Sequence, residues 1–286
     1  MSEIAFVNGK FVPLAEARIP VEDRGHQFGD GVYEVVYAFD GVPFALEEHL
    51  DRFFSSMAMI RLNCPYTRAE VTDLIHEALR RSGYQNAVIY YHLTRGTAPR
   101  GHAFPPPSVP GNLVITVREG TTLPDEIAEK GVTAHLVQDL RWGRCNIKSL
   151  NLLPNVLAKQ EALDHNAFEA ILCKDGYITE GSVSNVFIVS QGQVRTAPAD
   201  QKILPGITRM HVLELCRELG IPVTEKAFTP EELYGADEAF LTASGIDVLP
   251  VIRVDDKVIN GGLVGPGSLK LRKEYRNLIA KRCLAI

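Results

Sequence analysis

Turn pairs ending in glycine, each set between short apolar runs, constrain this chain more than any other feature. Asn8-Gly9, Asp40-Gly41, Asp175-Gly176 and Gln191-Gly192 are spread along most of its length. Such pairs accept positive φ at low cost and close tight hairpins whose twist matches that of the flanking strands. The first joins Ile4–Val7 to Lys10–Val12, and the second ends a strand over Val32–Phe39, with Val42–Leu46 returning. The third follows a strand at Ala170–Cys173, and the fourth follows one at Val183–Val189. Hairpins are therefore expected in the front part of the chain, with strand-helix alternation behind. Ala87–Leu93 and Leu113–Val117 read as two more strands, separated by a long loop from Thr94 to Gly111.

Helical periodicity falls between these strands. Leu46, Leu50, Phe53, Phe54, Met57 and Ile60 make one stripe, and Arg52 lies off it. Thr67 with Glu70 three residues on is a capping-box spacing that opens a helix to Ser82. Further helices are predicted from Asn151, as N-cap, to His165, with Leu152, Leu153, Val156 and Leu157 on its apolar face, from Gly206 to about Leu219, and from about Pro266 onward. Strands at Val132–Val137, near Val223, at Ala239–Thr242 and at Val248–Val254 complete the pattern. The polar stretch at 120–126 is the best interdomain linker. The chain thus reads as α+β: an N-terminal α+β domain over 1–119 and a C-terminal domain over 127–286.

Composition removes several classes of function. The chain has 286 residues, 45% hydrophobic and 23% charged, enough for one globular unit or two closely packed domains with a sizeable core. A net charge of −5 without a long basic run argues against nucleic acid as a partner. No apolar stretch approaches the roughly 18 residues of a membrane span, and Met1-Ser2-Glu3 does not begin a secretory signal. The five cysteines are scattered and lack metal-ligand spacing, which suits a reducing cytoplasm and no metal.

Several groups carry possible chemistry. Lys148 sits between apolar neighbours just before the Asn151–His165 helix, expected to pack against it. It is either an ordinary surface lysine or a desolvated amine able to form an imine. Glu180, in Thr179-Glu180-Gly181-Ser182, is either a solvated turn residue or a carboxylate that keeps a heterocyclic nitrogen protonated. Gly206-Ile207-Thr208 opens a helix whose free N–H groups suit a phosphate, and Thr242-Ala243-Ser244 offers another donor. Arg52 either adds charge to that anion or lies on the surface. Arg100 and His102, in the proline-rich loop, and Tyr33 beside Gly31 could grip a carboxylate; an idle exposed loop is the alternative. Together the groups make up the parts of a pyridoxal-phosphate enzyme acting on an amino acid.

On these residues the sequence resembles the fold-type IV pyridoxal-phosphate transaminases, and within them the bacterial D-amino acid aminotransferases. The resemblance runs nearly end to end through Phe28–Val36, Glu47–Arg52, Thr94–His102, Arg141–Ala162, Thr179–Phe187 and Gly206–Arg209. It implies two α/β domains with the cofactor, pyridoxal 5'-phosphate, at their interface, and the C-terminal one carrying the lysine. Lys148 would bind the cofactor covalently and act catalytically, and Glu180 would pair with its ring nitrogen. Arg52, Ile207, Thr208 and Ser244 would hold the phosphate, with Leu204 against the ring. Tyr33, Arg100 and His102 would trap the substrate carboxylate, the last two reaching across a homodimer, and Tyr90 would also line the substrate site. The activity implied is ping-pong transamination between D-amino acids (the D-alanine, D-glutamate and D-aspartate class) and 2-oxo acids. The alternatives are a transaminase of the same fold for branched-chain L-amino acids or R-amines, a 4-amino-4-deoxychorismate lyase, and a non-catalytic scaffold. Two departures stand out: Val183 near Glu180 and Ala243 beside Ser244 replace the serines that the resemblance leads one to expect.

Overall fold

Asn8 and Gly9 take positive φ, 52° and 74°, and close β1 (Ile4–Val7) onto β2 (Lys10–Pro13) with Val7 opposite Lys10. The structure, a computed structural model, describes residues 2–284. It divides into two units. Unit 1 runs to Thr121 and includes Ile147–Asn151 and the residues from Lys281 on; unit 2 is Thr122–Asn146 with Leu152–Ala280.

In unit 1 the hairpin is followed by a short helix α1 (Arg24–Phe28), β3 (Gly31–Phe39), β4 (Val42–Pro43), α2 (Leu46–Met59), α3 (Arg68–Ser82), β5 (Ala87–Thr94) and β6 (Asn112–Glu119). The strands form one antiparallel sheet in the order β2-β1-β6-β5-β3-β4. Along β3, Val32, Glu34, Val36 and Ala38 are buried, while Tyr33, Val35 and Tyr37 are half-buried, the period-2 alternation of a strand with one covered face. Leu50 and Phe53 of α2 and Val71 and Ile75 of α3 bury completely in the same core as Val32 and Val36. Both capping-box bonds of Thr67 and Glu70 are present at the start of α3.

Ile147–Asn151 belongs to this unit. Ser149 bridges Val32, the N–H of Tyr33 donates to the carbonyl of Lys148 at 3.0 Å, and Leu150 N donates to Gly31 O at 3.0 Å. Lys148, expected in the C-terminal domain, is thus placed with the N-terminal unit, because its backbone completes hydrogen bonds along β3.

Unit 2 contains α4 (Asp125–Lys130), β7 (Val132–Gln138), α5 (Leu153–Asp164), β8 (Glu169–Lys174), β9 (Tyr177–Gly181), β10 (Asn185–Ser190), β11 (Gln193–Thr196), α6 (Ile207–Glu218), β12 (Val223–Glu225), α7 (Pro230–Tyr234), β13 (Glu238–Ala243), β14 (Asp247–Val254), β15 (Lys257–Val258) and α8 (Pro266–Ile279). Its mixed sheet runs β12-β11-β10-β13-β14-β7-β8-β9, with β15 on β14. The pairs β7–β8, β7–β14 and β11–β12 are parallel. The boundary between the units falls within the polar stretch at 120–126, although Asp125 and Glu126 already form the first turn of α4.

The helix predicted from Asn151 begins at Leu153 instead. Leu152 is its N-cap, and the Asn151 amide donates to Gly29 O at 3.1 Å, so that side chain serves unit 1. The face the helix buries also differs from the periodicity reading. Ala158 and Ala162 pack with Val137, Ala170 and Leu172, whereas Leu153, Val156, Leu157 and Leu163 are exposed. Small residues let the helix lie close on the sheet, and the large apolar ones are left outside. No helix among the described residues is long and apolar enough to cross a membrane.

Candidate active site

Lys148 and Tyr33 meet in unit 1 because the chain after Ile147 pairs with β3. The Lys148 Nζ lies 4.3 Å from the centroid of the Tyr33 ring, and the Lys148 N–H donates to Ser56 Oγ at 3.2 Å. Among the described residues no carboxylate pairs with the Lys148 amine. Tyr33 and Tyr90 lie ring to ring at 5.8 Å, and Tyr90 meets His92 at 5.4 Å, on the same half-buried face of the sheet. Burial pushes the Tyr90 hydroxyl up to about 12 and the His92 imidazole down to about 4, so both stay neutral near pH 7.

Beneath Tyr33, on the covered face, Glu34 is fully buried and joins two residues of α2. Arg52 donates Nε and Nη2 to its two oxygens at 2.7 and 2.8 Å, and His49 Nδ1 lies 2.7 Å from Oε2. Burial alone would raise the Glu34 carboxyl, but Arg52, aided by His49, holds it well below the usual carboxylate range. Burial also pushes His49 below its ordinary value, against the opposing pull of Glu34. Arg52, predicted to serve a phosphate, is therefore oriented by a carboxylate that sequence reasoning missed. The signal was available: Glu34 occupies an inward position of an alternating strand, and His49 lies three residues after Leu46 on the apolar stripe of α2.

Arg100 and His102 are exposed, in a loop that is nonetheless tied down. Asp30 accepts from Arg24 Nε at 2.8 Å and from Arg95 Nε at 2.9 Å, and the Phe104 ring lies under the guanidinium groups of Arg95 and Arg61. Among the described residues no hydrogen bond or ring contact joins Arg100 or His102 to Tyr33, Tyr90 or Lys148. Their contacts are instead with Gln27 and Phe28.

In unit 2, Glu180 is the last residue but one of β9 and is buried. It accepts from the Arg141 guanidinium, from Asn185 Nδ2 at 3.0 Å and from the Leu204 N–H at 3.0 Å. Burial pushes its carboxyl up to about 7, against the lowering pull of Arg141 and the Leu204 N–H. Arg141 is itself gripped by Asp139, at 2.8 and 2.9 Å. Neither residue was singled out from the sequence, since nothing local shows that β7's end and β9's end meet. Asn185 also donates to Leu204 O at 2.9 Å, fixing the Leu204–Gly206 turn that starts α6. No side chain caps α6 at Gly206, and Ile207 and Thr208 form its first turn. The Thr208 hydroxyl lies 3.1 Å from that of Tyr275 on α8. Ser244 is half-buried in the turn after β13, and the Thr242 hydroxyl just before it is buried without a partner among the described residues. Val183 is 66% exposed and lies between β9 and β10. Its neighbours Ser182 and Ser184 donate to Glu169.

These residues fit pyridoxal phosphate on the chemistry of each part. Lys148 supplies an amine without a carboxylate partner, Glu180 a buried acid titrating near neutrality, and α6 an uncapped N-terminus whose N–H groups suit an anion. The amino-transferase class IV family profile matches residues 31–254. The D-alanine aminotransferase of Staphylococcus haemolyticus is 40% identical over 277 residues, 97% of this chain and 98% of that protein. That of Bacillus licheniformis is 40% identical over 272 residues, 95% of each chain. Among solved structures, a branched-chain amino acid aminotransferase from T.th. with pyridoxamine 5'-phosphate superposes with a TM-score of 0.90 at 31% identity, covering 99% of this chain and 95% of that one. With a family match over most of its length and relatives alike from end to end, the chain belongs to the class IV amino-transferases.

Proposed function

We propose that this protein transfers the amino group of D-amino acids, of the D-alanine, D-glutamate and D-aspartate class, to 2-oxo acids, with pyridoxal 5'-phosphate as cofactor. The observation that carries the reading is the 40% identity, over 97% of the chain, to a protein named a D-alanine aminotransferase. When bound, pyridoxal phosphate supplies an aldehyde that condenses with amines and a ring that accepts electrons from the substrate Cα. Lys148 would take the proton from that Cα as base and then, as acid, give it to the carbon that receives the amino group. Tyr33, Arg100 and His102 bind the substrate carboxylate, and Tyr90 packs beside it. Glu180 holds a proton on the cofactor's ring nitrogen, aligned by Arg141 and Asn185. Arg52, Ile207, Thr208 and Ser244 would hold the phosphate, and Leu204 would lie against the ring.

The reading includes a homodimer in the cytoplasm. Two features support the dimer: Arg100 and His102 do not meet Tyr33 within one protomer, and α5 leaves Leu153, Val156 and Leu157 exposed, as an interface core would require. Five cysteines without a disulfide suit a reducing compartment.

A donor panel tests the function. D-alanine, D-glutamate, L-leucine and an R-amine are offered with 2-oxoglutarate or pyruvate while the cofactor's absorbance is followed. Bleaching by the D-donors is expected. Bleaching by L-leucine alone would favour the branched-chain activity named for the structural relative, and pyruvate release from aminodeoxychorismate without a 2-oxo acid would favour the lyase. Lys148→Ala is expected to abolish turnover, and substantial D-alanine turnover in that variant would remove the lysine from its role.

A further inference from the structure

We infer that α1 is the mount of the carboxylate clamp, with Arg24 and Phe28 as positioning residues that fix Arg100 and His102. This rests on reading Arg100 and His102 as the clamp. The two α1 residues are four apart, so they share one face of the helix. Arg24 is buried, held by Asp30 at 2.8 Å, and its Nη1 donates to the carbonyl of Gly101 at 2.6 Å. Gly101 is the residue between the two clamp side chains. Phe28 takes the side chains themselves: the Arg100 guanidinium carbon lies 4.4 Å from the ring centroid, and the His102 ring lies 5.5 Å away. One residue therefore fixes the backbone of the clamp and the other its two tips.

The mount is itself anchored. Arg24 N donates to Gly96 O at 2.9 Å and Arg95 N to Asp30 O at 3.0 Å, so both ends of α1 are stitched to the start of the loop. Gly25 lies so close to β5 that a Cβ there would meet Thr94 Cγ2 at 2.4 Å, which leaves α1 little room to shift. Arg100 and His102, by contrast, are exposed and would sample many rotamers without the ring. Holding an arginine fork before the substrate arrives reduces the ordering cost of binding. Phe28 thus acts on affinity for the carboxylate rather than on proton transfer.

The test uses the holoenzyme and Phe28→Leu, Phe28→Tyr, Arg24→Gln and Arg100→Ala, with propionate as a competitive carboxylate probe. Phe28→Leu is expected to raise the KM for D-alanine and the inhibition constant of propionate together, by roughly tenfold, the size of a cation–π contact, with kcat little changed. Phe28→Tyr keeps the ring and is expected to restore both constants. A purely structural role would lower thermal stability and the yield of active enzyme without this split between KM and kcat. In the double variant Phe28→Leu/Arg100→Ala the two losses are expected to be less than additive. If Arg100→Ala weakens propionate but a folded Phe28→Leu does not, the mount is overturned and the clamp stands. If Arg100→Ala itself leaves propionate unaffected, the clamp reading falls first. Should Phe28→Leu not fold, Arg24→Gln, which releases Gly101, is expected to give the same split, and unchanged constants there would overturn the inference.

Discussion

Glu34 accepts both Nε and Nη2 of Arg52, at 2.7 and 2.8 Å, in a two-pronged pair buried between a strand and a helix. Removing one partner of such a pair leaves a desolvated charge. Glu34→Ala is therefore expected to lower stability by about 3 kcal/mol, and Glu34→Gln by less, measured by urea denaturation. Because the folded-state carboxyl is held below its ordinary 4.5, its contribution is fully present above pH 4.5 and is lost as the pH falls further. The acid limb of the stability curve is expected to flatten in Glu34→Gln.

Glu180 has the opposite pH behaviour. Its carboxyl is raised from 4.5 to about 7 in the folded chain, so between those values the unfolded chain has released a proton that the folded one keeps. Apoenzyme stability attributable to this group falls as pH rises from about 4.5 to about 7, then levels off. In Glu180→Gln apoenzyme that decline should disappear. An unchanged slope in urea denaturation across that range would contradict the assignment.

Gly206 has no space for a side chain. A Cβ there would lie 2.1 Å from Asn185 Oδ1, and Asn185 cannot move without giving up its bonds to Glu180 and Leu204. Gly206→Ala is expected to cost roughly 1–3 kcal/mol of stability and to weaken cofactor binding, both read by thermal melts with and without added pyridoxal phosphate.

The Tyr275 hydroxyl lies 3.1 Å from that of Thr208, in the first turn of α6. Either hydroxyl can donate in this contact; when Tyr275 donates, the Thr208 hydroxyl is left able to donate to an anion at the start of α6. Tyr275→Phe is expected to weaken pyridoxal phosphate binding to the apoenzyme by roughly fivefold, about one neutral hydrogen bond, in a fluorescence titration. Pyridoxal lacking the phosphate should bind both proteins alike.

Local chemistry was legible in the sequence where a few neighbouring residues decide the outcome. The Asn8-Gly9 hairpin, the Thr67–Glu70 cap and the Gly206 helix start all follow from such short-range rules. α1 was not legible, being only one turn and a half of a Gly-containing stretch. The α5 face was misread because periodicity marks which residues share a side but not which side meets the sheet. At the candidate site, Lys148, Glu180 and Thr208 stand out by type and context. Two partners that orient them, Arg141 and Tyr275, come from distant positions that only folding brings close, whereas Asn185 lies five residues from Glu180 but shows its role only once the turn between β9 and β10 is formed.

The pairing of Ile147–Asn151 with β3 bears on how this protein can be cut and rejoined. The chain leaves one unit, contributes five residues to the other and returns, so a fragment ending at Thr121 would lack the acceptor for the Tyr33 N–H and the residue that fills the core at Ile147. Neither half of the gene encodes a self-sufficient module. Split versions, circular permutants and swapped chimaeras should succeed only if that short insert and the residues from Lys281 on stay with the N-terminal piece, or are supplied to it separately.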